Sequence, residues 1–510
     1  MLTPSWRPPP PHVVIVGGGL AGLAAASVLV DRGLKVSLIE SRPRLGGRAS
    51  SFHDPASNEP VDNCQHVSMR CCTNLTDFCR RVGTKHLFRP EKRLVFLGTD
   101  GRVSALQPGF FPAPFHLAES FLGSKYLSWG DKIRVAYGLM CLARDRDDRP
   151  GEPFGEWLLR HGQSVRSINL YWSTVLVSAL NERLDQMDVG HARKVFLDGF
   201  MRNAEGYQME IPLVPLGELY GSRMETWLRD HEVDVRLTTG VRSIDVNPEN
   251  GLAGVTLRSG ETIRADFVVL TVPFDRVRSL ISGQVAERLP DLPRAEGLTS
   301  SPITGIHLWF DREVCPFEHV VTVGRLIQWV FNHTAIQGRG ASGEGGQYLQ
   351  LVISAAYDLL PLDNATILAT VLDELAEIWP AARDAKLVRS RVVTEHGATF
   401  AVRPGVEACR PDQRTPIEGF FLAGDWTNTG WPATMEGAVR SGYLAAEGIL
   451  EDLGCPASLV QPDLPSSWWA SRLLSSDRRG FSPARPRPRS QAAPTWPSEG
   501  TQRPQSTPVP

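Results

Sequence analysis

The chain has no charge bias. Its 510 residues include 54 basic and 56 acidic side chains, a formal net charge of −2, so nothing calls for a nucleic-acid partner. Paired cysteines are also missing: eight cysteines occur without one C-x-x-C. Cys64, Cys71, Cys72 and Cys79 cluster, but their spacing suits neither a zinc site nor a disulfide framework. Free thiols in a reducing cytoplasm are the expectation, with no metal site. No internal repeat is evident. One stretch, Val13–Val30, is apolar enough to compare with a membrane span, but its glycine-rich centre argues against that reading. Prolines rather than basic residues precede it, so it does not read as a signal peptide.

What is present begins in that same stretch. His12–Glu40 reads strand, glycine turn, helix, strand, acidic residue. Val13–Val16 is short, apolar and β-branched, as a buried parallel strand should be. Gly17, Gly19 and Gly22 then fall as G-x-G-x-x-G. The first allows the tight turn, the second lets the backbone approach a pyrophosphate, and the third lets the helix pack on the sheet. The helix, expected over residues 20–32 and opening with Leu20 and Ala21, points its N–H groups and positive dipole end at that phosphate. Glu40 ends the second strand, where a carboxylate accepts bonds from both ribose hydroxyls and repels the extra phosphate of NADP.

The following residues, SRPRLGGRASS at Ser41–Ser51, identify the dinucleotide. Gly46 and Gly47 permit a second close backbone approach, while Arg42, Arg44 and Arg48 supply guanidiniums for phosphate oxygens. With Glu40 this resembles the E-x-R-x-R-x-G-G-R extension of the FAD-dependent amine oxidase and carotenoid desaturase superfamily. A distant segment, GFFLAGDWTNTGWPATMEGAVRSG at Gly419–Gly442, is similar to the superfamily's C-terminal flavin motif. The resemblance implies that Gly424 and Asp425 meet the ribityl or pyrophosphate. It also implies that Ala433, Thr434 and Met435 open a helix aimed at the flavin. Val235–Val241 reads as a strand whose edge, with Val241, contacts adenine through its backbone. No cysteine lies in the C-terminal motif, so the FAD is expected to be non-covalent. The implied fold class is α/β: a Rossmann-like FAD-binding domain of the glutathione-reductase-like FAD/NAD(P)-binding type, carrying an inserted α+β substrate domain.

The domain expectation follows from these motifs and from composition. Residues 12–89, 211–294 and 396–455 form the FAD-binding domain; residues 90–210 and 295–395 form the substrate domain. The first insertion is rich in Phe110, Phe111, Phe115, Phe121, Leu122, Tyr126, Leu127 and Trp129. Prolines and polar residues interrupt it, giving loops and short amphipathic helices, either as ordinary core or as the lining of a tunnel or lid. Residues 1–11 are expected to be disordered. So is the tail 456–510, because residues 461–510 hold ten prolines and seven arginines. Within that tail Trp468, Trp469, Leu473 and Leu474 make a small apolar island beside Arg472, Arg478 and Arg479.

Five segments narrow the resemblance: VDNCQH (Val61–His66), VLVSALNE (Val175–Glu182), SPITGIHLWFDR (Ser301–Arg312), ATFAVRPG (Ala398–Gly405) and GDWTNTGWPATMEGAVRSG. Over residues 12–450 they look like the hydroxysqualene dehydroxylase family, the squalene-associated FAD-dependent desaturases of hopanoid biosynthesis. Cys64 departs from that pattern, where the family usually has glycine. The resemblance implies reductive loss of an allylic hydroxyl from a lipophilic C30 isoprenoid to give squalene. An upstream hydroxysqualene synthase would supply the substrate and an external donor the electrons. Hydroxide leaves poorly, so a general acid is needed. His66 is the candidate acid, with an expected loss of about 10²-fold on its removal. Asp62 is expected to orient it or to contact the flavin, with Gln65 at the same polar end. A structural turn beneath the flavin is the other reading of this trio. Asn181 either bonds the substrate hydroxyl or stitches a buried loop. Glu436 is given no catalytic role, and Trp426 and Trp431 either wall the site or pack.

Three rivals remain. Amine oxidation is suggested by MEGA at Met435–Ala438 and by Trp431 at a cage position, but Thr304 stands where those enzymes place a lysine. Carotenoid or phytoene desaturation reverses the electron flow. A non-catalytic flavoprotein scaffold is the third. A greasy substrate without a second spanning-length apolar run implies a cytoplasmic protein, peripheral at the inner face of the cytoplasmic membrane.

Overall fold

The computed structural model describes residues 9–55, 59–144, 151–246, 251–281, 283–338 and 345–474. Five parallel strands form the central sheet in the order Asp234–Arg236, Lys35–Ile39, His12–Val16, Phe267–Leu270, Phe420–Leu422. Helices bury both faces of such a sheet, which is why the strands read VVIV, FVVL and FFL rather than alternating. Helix Leu20–Val30 is apolar on every side because it is enclosed. The C-terminal helix Met435–Asp452 lies against it, and a Cβ on Gly442 would fall 2.2 Å from Ala21 O. The two helices therefore meet backbone to backbone. This joins the two ends of the chain around one turn.

The second body is a seven-stranded, mostly antiparallel sheet: Leu387–Phe400, Ser300–Phe310, Gln347–Ser354, Trp329–Asn332, His319–Thr322, Leu94–Leu97, Val103–Leu106. One face packs against helix Asn364–Ile378 through Ile367, Val371 and Leu375, spaced to fall on one side of a helix. The opposite face presents Phe96, Val321, Phe331 and Val352 to a helical lobe built from residues 118–144 and 154–201. The Rossmann-like domain with an inserted α+β domain is the observed architecture.

Several expectations need correction. Val235–Val241 is not one strand. Asp234–Arg236 belongs to the parallel sheet, whereas Val241–Val246 pairs with Leu252–Leu257 in a separate three-stranded sheet. Thr238 turns the chain between them with φ 54°, and Thr238 and Thr239 donate to Arg42 O and Glu40 O at 3.0 and 2.9 Å. The substrate sheet runs to Phe400, past the expected end at 395, because Ser300 and Phe400 remain paired. Residues 456–474 are folded onto the body. Leu459 and Ala470 are buried, Gln461 N bonds Asn74 Oδ1 at 2.8 Å, and Ser467 caps helix Trp468–Leu473. Composition misled here because a few burial and cap contacts suffice to fix a short proline-rich segment. The remaining tail from 475, including Arg478 and Arg479, lies outside the described residues, as do residues 1–8. Pro11 is already tied in, its carbonyl accepting from Lys35 N at 3.1 Å.

Candidate active site

The first glycine turn is built for close approach. Gly17 has φ 118°, and a Cβ on Gly22 would lie 2.1 Å from Gly17 O. Gly46 N donates to Gly18 O at 2.9 Å, and a Cβ on Gly47 would come within 3.0 Å of Gly19 Cα. Two turns thus abut with no side chain between them. Gly19 caps helix Leu20–Val30 without a side-chain bond, and no acidic residue occupies its first turn. Its free N–H groups and positive end are left for an anion. Glu40 folds back on the turn, accepting from Gly18 N at 2.7 Å, Arg42 N at 2.8 Å and Ser41 Oγ at 3.2 Å.

The arginines divide their duties. Arg44 Nε is buried and unpartnered among the described residues. Burial, and then the like charge of Arg42, disfavour its charged form. Two guanidiniums gathered with an orphaned donor fit the pyrophosphate of FAD. Arg48, also expected at phosphate, makes its bonds to the C-terminal part of the chain. It donates to Asp425 Oδ1 at 2.5 Å and to Ala398 O at 2.9 Å. Burial opposes its charge, but Asp425 holds its pKa above the ordinary value. Arg48 and Asp425 therefore pin the G-G-R loop to the C-terminal motif. Gly424, at φ 140°, donates to Ser441 Oγ at 2.7 Å. Ala433 leads into Thr434, which caps the C-terminal helix by accepting from Gly437 N at 3.1 Å. Val241 pairs with Leu257 on one edge, and no strand covers its outer edge among the described residues.

The VDNCQH residues do not form a catalytic trio. Asp62 is consumed by Ser51 Oγ at 2.5 Å and Leu216 N at 3.0 Å; it stitches two segments and does not orient His66. His66 is oriented instead by Cys64 O, to which Nδ1–H donates at 2.9 Å, leaving a lone pair on Nε2. Burial lowers the His66 pKa, and the charge of Arg48 lowers it further. At neutral pH the ring is therefore neutral, which corrects the imidazolium-acid expectation. Gln65 remains a site candidate: its Oε1 is buried and unpartnered among the described residues, in the wall of the main cavity. Cys64 packs in the core, where burial pushes its thiol up to about 12.

Asn181 is structural. It ends helix Ser173–Leu180 in the left-handed conformation, φ 54°. Its Nδ2 donates to Ser301 O at 3.1 Å and Thr399 Oγ1 at 2.9 Å, and its Oδ1 accepts from Ala355 N at 2.6 Å. Glu436 likewise serves the fold, accepting from Asn74 N, Leu75 N and Arg440 Nε. Trp426 packs, with Nε1 bonded to Val272 O at 3.0 Å.

A cavity of about 660 Å³ extends from Thr434 and Met435 of the flavin motif, past Gln65, between the substrate sheet and the helical lobe. Its lining is overwhelmingly apolar and aromatic, including Phe96, Phe121, Tyr126, Tyr171, Phe196, Phe200, Trp329 and Phe331. Among its charged lining residues, Arg144, Lys194, Asp198 and Glu436, a cluster stands beside Trp431. Lys194 Nζ bonds Asp198 Oδ2 at 2.7 Å and lies 4.6 Å from the centre of the Trp431 ring. Arg202 holds the other Asp198 oxygen, and the two cations keep that carboxylate below its usual pKa despite burial. Arg440 approaches the same tryptophan ring at 5.2 Å. Residues 194, 198 and 202 stand at i, i+4 spacing, but no local pattern marks that Trp431, far along the chain, closes on them.

Comparison with known proteins agrees with this geometry. Residues 20–450 match the family described as flavin containing amine oxidoreductase. The chain belongs to this family. It is 27% identical over 463 residues to the 15-cis-phytoene desaturase of Narcissus pseudonarcissus, covering 86% of this chain and 79% of that one. It is 24% identical over 467 residues to the 15-cis-phytoene desaturase of Synechococcus elongatus, covering 85% and 94%. Among solved structures, an oxidoreductase from Methanosarcina mazei superposes with TM-score 0.66 at 16% identity over 86% of this chain and 100% of its own. Cyclohexylamine oxidase from Brevibacterium oxydans gives TM-score 0.62 at 18% identity, with 88% and 100% coverage. The protein is an FAD-dependent oxidoreductase.

Proposed function

We propose that this enzyme acts on an isoprenoid and removes the allylic hydroxyl of hydroxysqualene to give squalene. The observation that carries the reading is the apolar cavity running into the flavin motif, with a charged corner beside Trp431. An apolar chain fits its lining, and a polar substituent fits the corner. Amine oxidation is disfavoured by the same corner. Trp431 already has the Lys194 and Arg440 cations against it, and a protonated amine would be repelled. Thr304, moreover, is a buried strand residue bonded to Thr394 Oγ1 at 3.0 Å. Desaturation has one observation in its favour, the relatives named as phytoene desaturases.

Reduced FAD, when bound, supplies the hydride. The chain supplies the surroundings of the reacting carbon. Its aromatic walls exclude water and present ring faces to developing positive charge on an allylic carbon. Departure of the hydroxyl needs a proton donor, a role for which neutral His66 is unsuited. The test is incubation of dithionite-reduced enzyme with hydroxysqualene and of oxidised enzyme with phytoene, each followed by lipid extraction and mass analysis. Squalene formation supports the reading. Desaturated phytoene from oxidised enzyme, with hydroxysqualene untouched, would replace it.

The same reading includes peripheral attachment to an anionic bilayer. No helix among the described residues is long and apolar enough to cross a membrane. Helix Trp129–Arg144, however, exposes Trp129, Ile133, Tyr137 and Met140 on one side, beside exposed Phe110, Phe111 and Phe115. Ser467 Oγ ties helix Trp468–Leu473, with exposed Trp468 and Trp469, to Ala113 O at 2.5 Å. Phe115, Met140 and Leu473 belong both to this exposed rim and to the cavity wall. Basic Arg134 and Arg472 are exposed on the same helices, and the sequence that follows, Ser475–Arg489, holds five arginines against one acid. Aromatic side chains with flanking arginines fit the interface of an anionic membrane.

A further inference from the structure

Residues 456–474 lie beyond the family match, which ends at residue 450, yet they reach the substrate cavity. Their path is fixed at successive points. Leu459 N and Val460 N donate to Glu447 Oε1 at 2.6 and 2.9 Å, and Asp463 pairs with Arg440. Both anchors stand on the C-terminal helix Met435–Asp452. The segment then crosses to the helical lobe. Pro465 O accepts from Asn203 Nδ2 at 2.9 Å, and Ser467 N donates to Arg202 O at 2.8 Å. Helix Trp468–Leu473 follows, and Leu474 N closes it on Ala470 O at 2.9 Å. Leu473 and Leu474 both line the apolar cavity.

Beneath this strap lies a second cavity of about 260 Å³. Asp463, Ser466 and Ser471 of the strap line it, together with Arg202 and Asp198. A polar space of this size takes several waters, each needing roughly 10–15 Å³. Cys71, Asp198, Trp431 and Leu474 line both cavities. They are therefore the partition between a wet chamber and an apolar one, and Thr434 and Met435 of the flavin motif line the apolar side. Cys71, Asp198 and Trp431 fall within the family match; Leu474 is what the strap adds.

We infer that the strap is part of the active site: Leu473 and Leu474 complete the substrate cavity, and Leu474 keeps the water of the polar chamber from the reacting carbon. This rests on the hydroxysqualene reading for what reacts. Loss of a protonated hydroxyl as water leaves an electron-poor allylic carbon. Water reaching that carbon adds through its oxygen and gives up a proton, which re-forms the alcohol with no electron transferred. A dry cavity leaves the carbon for hydride, whereas a leak returns substrate.

The full chain, loaded with oxidised FAD, tests the partition without turnover. The probe is Nile red, whose emission moves to longer wavelength in wetter surroundings, and only the emission that excess squalene displaces is read. It is expected at short wavelength in the wild type, at longer wavelength in Leu474→Ser, and back at short wavelength in Leu474→Met, which keeps an apolar side chain of similar volume. Residue 474 is partly exposed, so the serine costs the fold little. Should Leu474→Ser not retain FAD, Leu474→Ala decides by the same readout. Equal emission from the wild type and from the variant that retains FAD overturns the partition. So does a wild type whose emission is already that of a wet site. Dithionite-reduced enzyme, given hydroxysqualene in water enriched in heavy oxygen, tests the consequence. Where the wild type forms squalene, label in the recovered hydroxysqualene should rise severalfold in Leu474→Ser at the expense of squalene; unchanged label overturns the protective role. Failure of the function reads differently. Shifted emission in Leu474→Ser without squalene from the reduced wild type keeps the partition and removes the dehydroxylase. Squalene formation with unshifted emission does the reverse.

Discussion

Asn181 offers the sharpest separation between a residue that reacts and one that holds. Its side chain makes three buried hydrogen bonds, to Ser301 O, Thr399 Oγ1 and Ala355 N. Asn181→Ala removes all three, each worth about 1 kcal/mol net and more where the abandoned partner is buried. The backbone adds to this. At φ 54° a residue with a Cβ and no local polar group is strained by about 1–2 kcal/mol. The expected loss is about 4–5 kcal/mol, near the top of the range for one substitution. If the substrate lobe unfolds cooperatively, a fall of roughly 8–20 °C in apparent Tm follows, at about 2–4 °C per kcal/mol for a domain of that size. Asn181→Gly relieves the backbone strain and should recover about 1 kcal/mol of the loss. Thermal melts of the FAD-loaded proteins, with turnover of whatever remains folded at low temperature, make the assay. A large drop in Tm and a rate within a few-fold of wild type are expected. A Tm within about a degree of wild type with turnover down a hundredfold would refute it and make Asn181 a substrate contact.

Other outcomes follow from particular contacts. His66→Ala should retain flavin and lose less than about tenfold in turnover, since its proton is given to Cys64 O; a loss of 10²-fold, the general-acid scale, would return it to the mechanism. Gly22→Val should abolish FAD binding, read as the loss of flavin absorbance from the purified protein, because a Cβ there meets Gly17 O at 2.1 Å; retained flavin would contradict the close packing. Buried His191 lies between Asp188 and Glu407 at 3.0 and 3.1 Å. Burial opposes its charge, but the two carboxylates raise its pKa, so its stabilisation is complete below about pH 6.5 and is lost as pH rises through the raised value. Glu407, lowered to about 2, adds stability above its usual pKa that disappears as pH falls through 2. His191→Gln should therefore flatten the alkaline decline of Tm, and an unchanged decline would remove His191 as its cause. Finally, flotation with anionic vesicles should carry the wild type, and Phe110→Ser with Phe111→Ser and Trp129→Ser should cut the bound fraction severalfold; equal flotation would exclude the rim.

The FAD half of the site was legible because its requirements are local. A glycine turn, a bare helix N-terminus and Glu40 are all encoded within one β-α-β unit, and residues 12–40 fold as strand, helix and strand, the helix ending at Val30 and not at residue 32. The pairing of Arg48 was missed for a non-local reason: its partner Asp425 arrives from the far end of the chain. Val235–Val241 failed because Thr238 takes a left-handed turn inside a run whose β-branched composition favours extension. The catalytic trio failed because Asp62 finds Ser51 and Leu216 N, contacts that no motif spacing records. Lys194 was invisible as a wall residue, since only the packing of Trp431 against it brings the flavin motif and the helical lobe together.

The central claim is that electrons flow from flavin to an allylic alcohol. The most direct measurement is anaerobic photoreduction of the flavin in D₂O, addition of hydroxysqualene, and simultaneous recording of flavin absorbance and lipid mass. Reoxidation in step with squalene formation is expected, with one deuterium entering at the carbon that lost oxygen. A flavin that stays reduced while hydroxysqualene is recovered unchanged would contradict it.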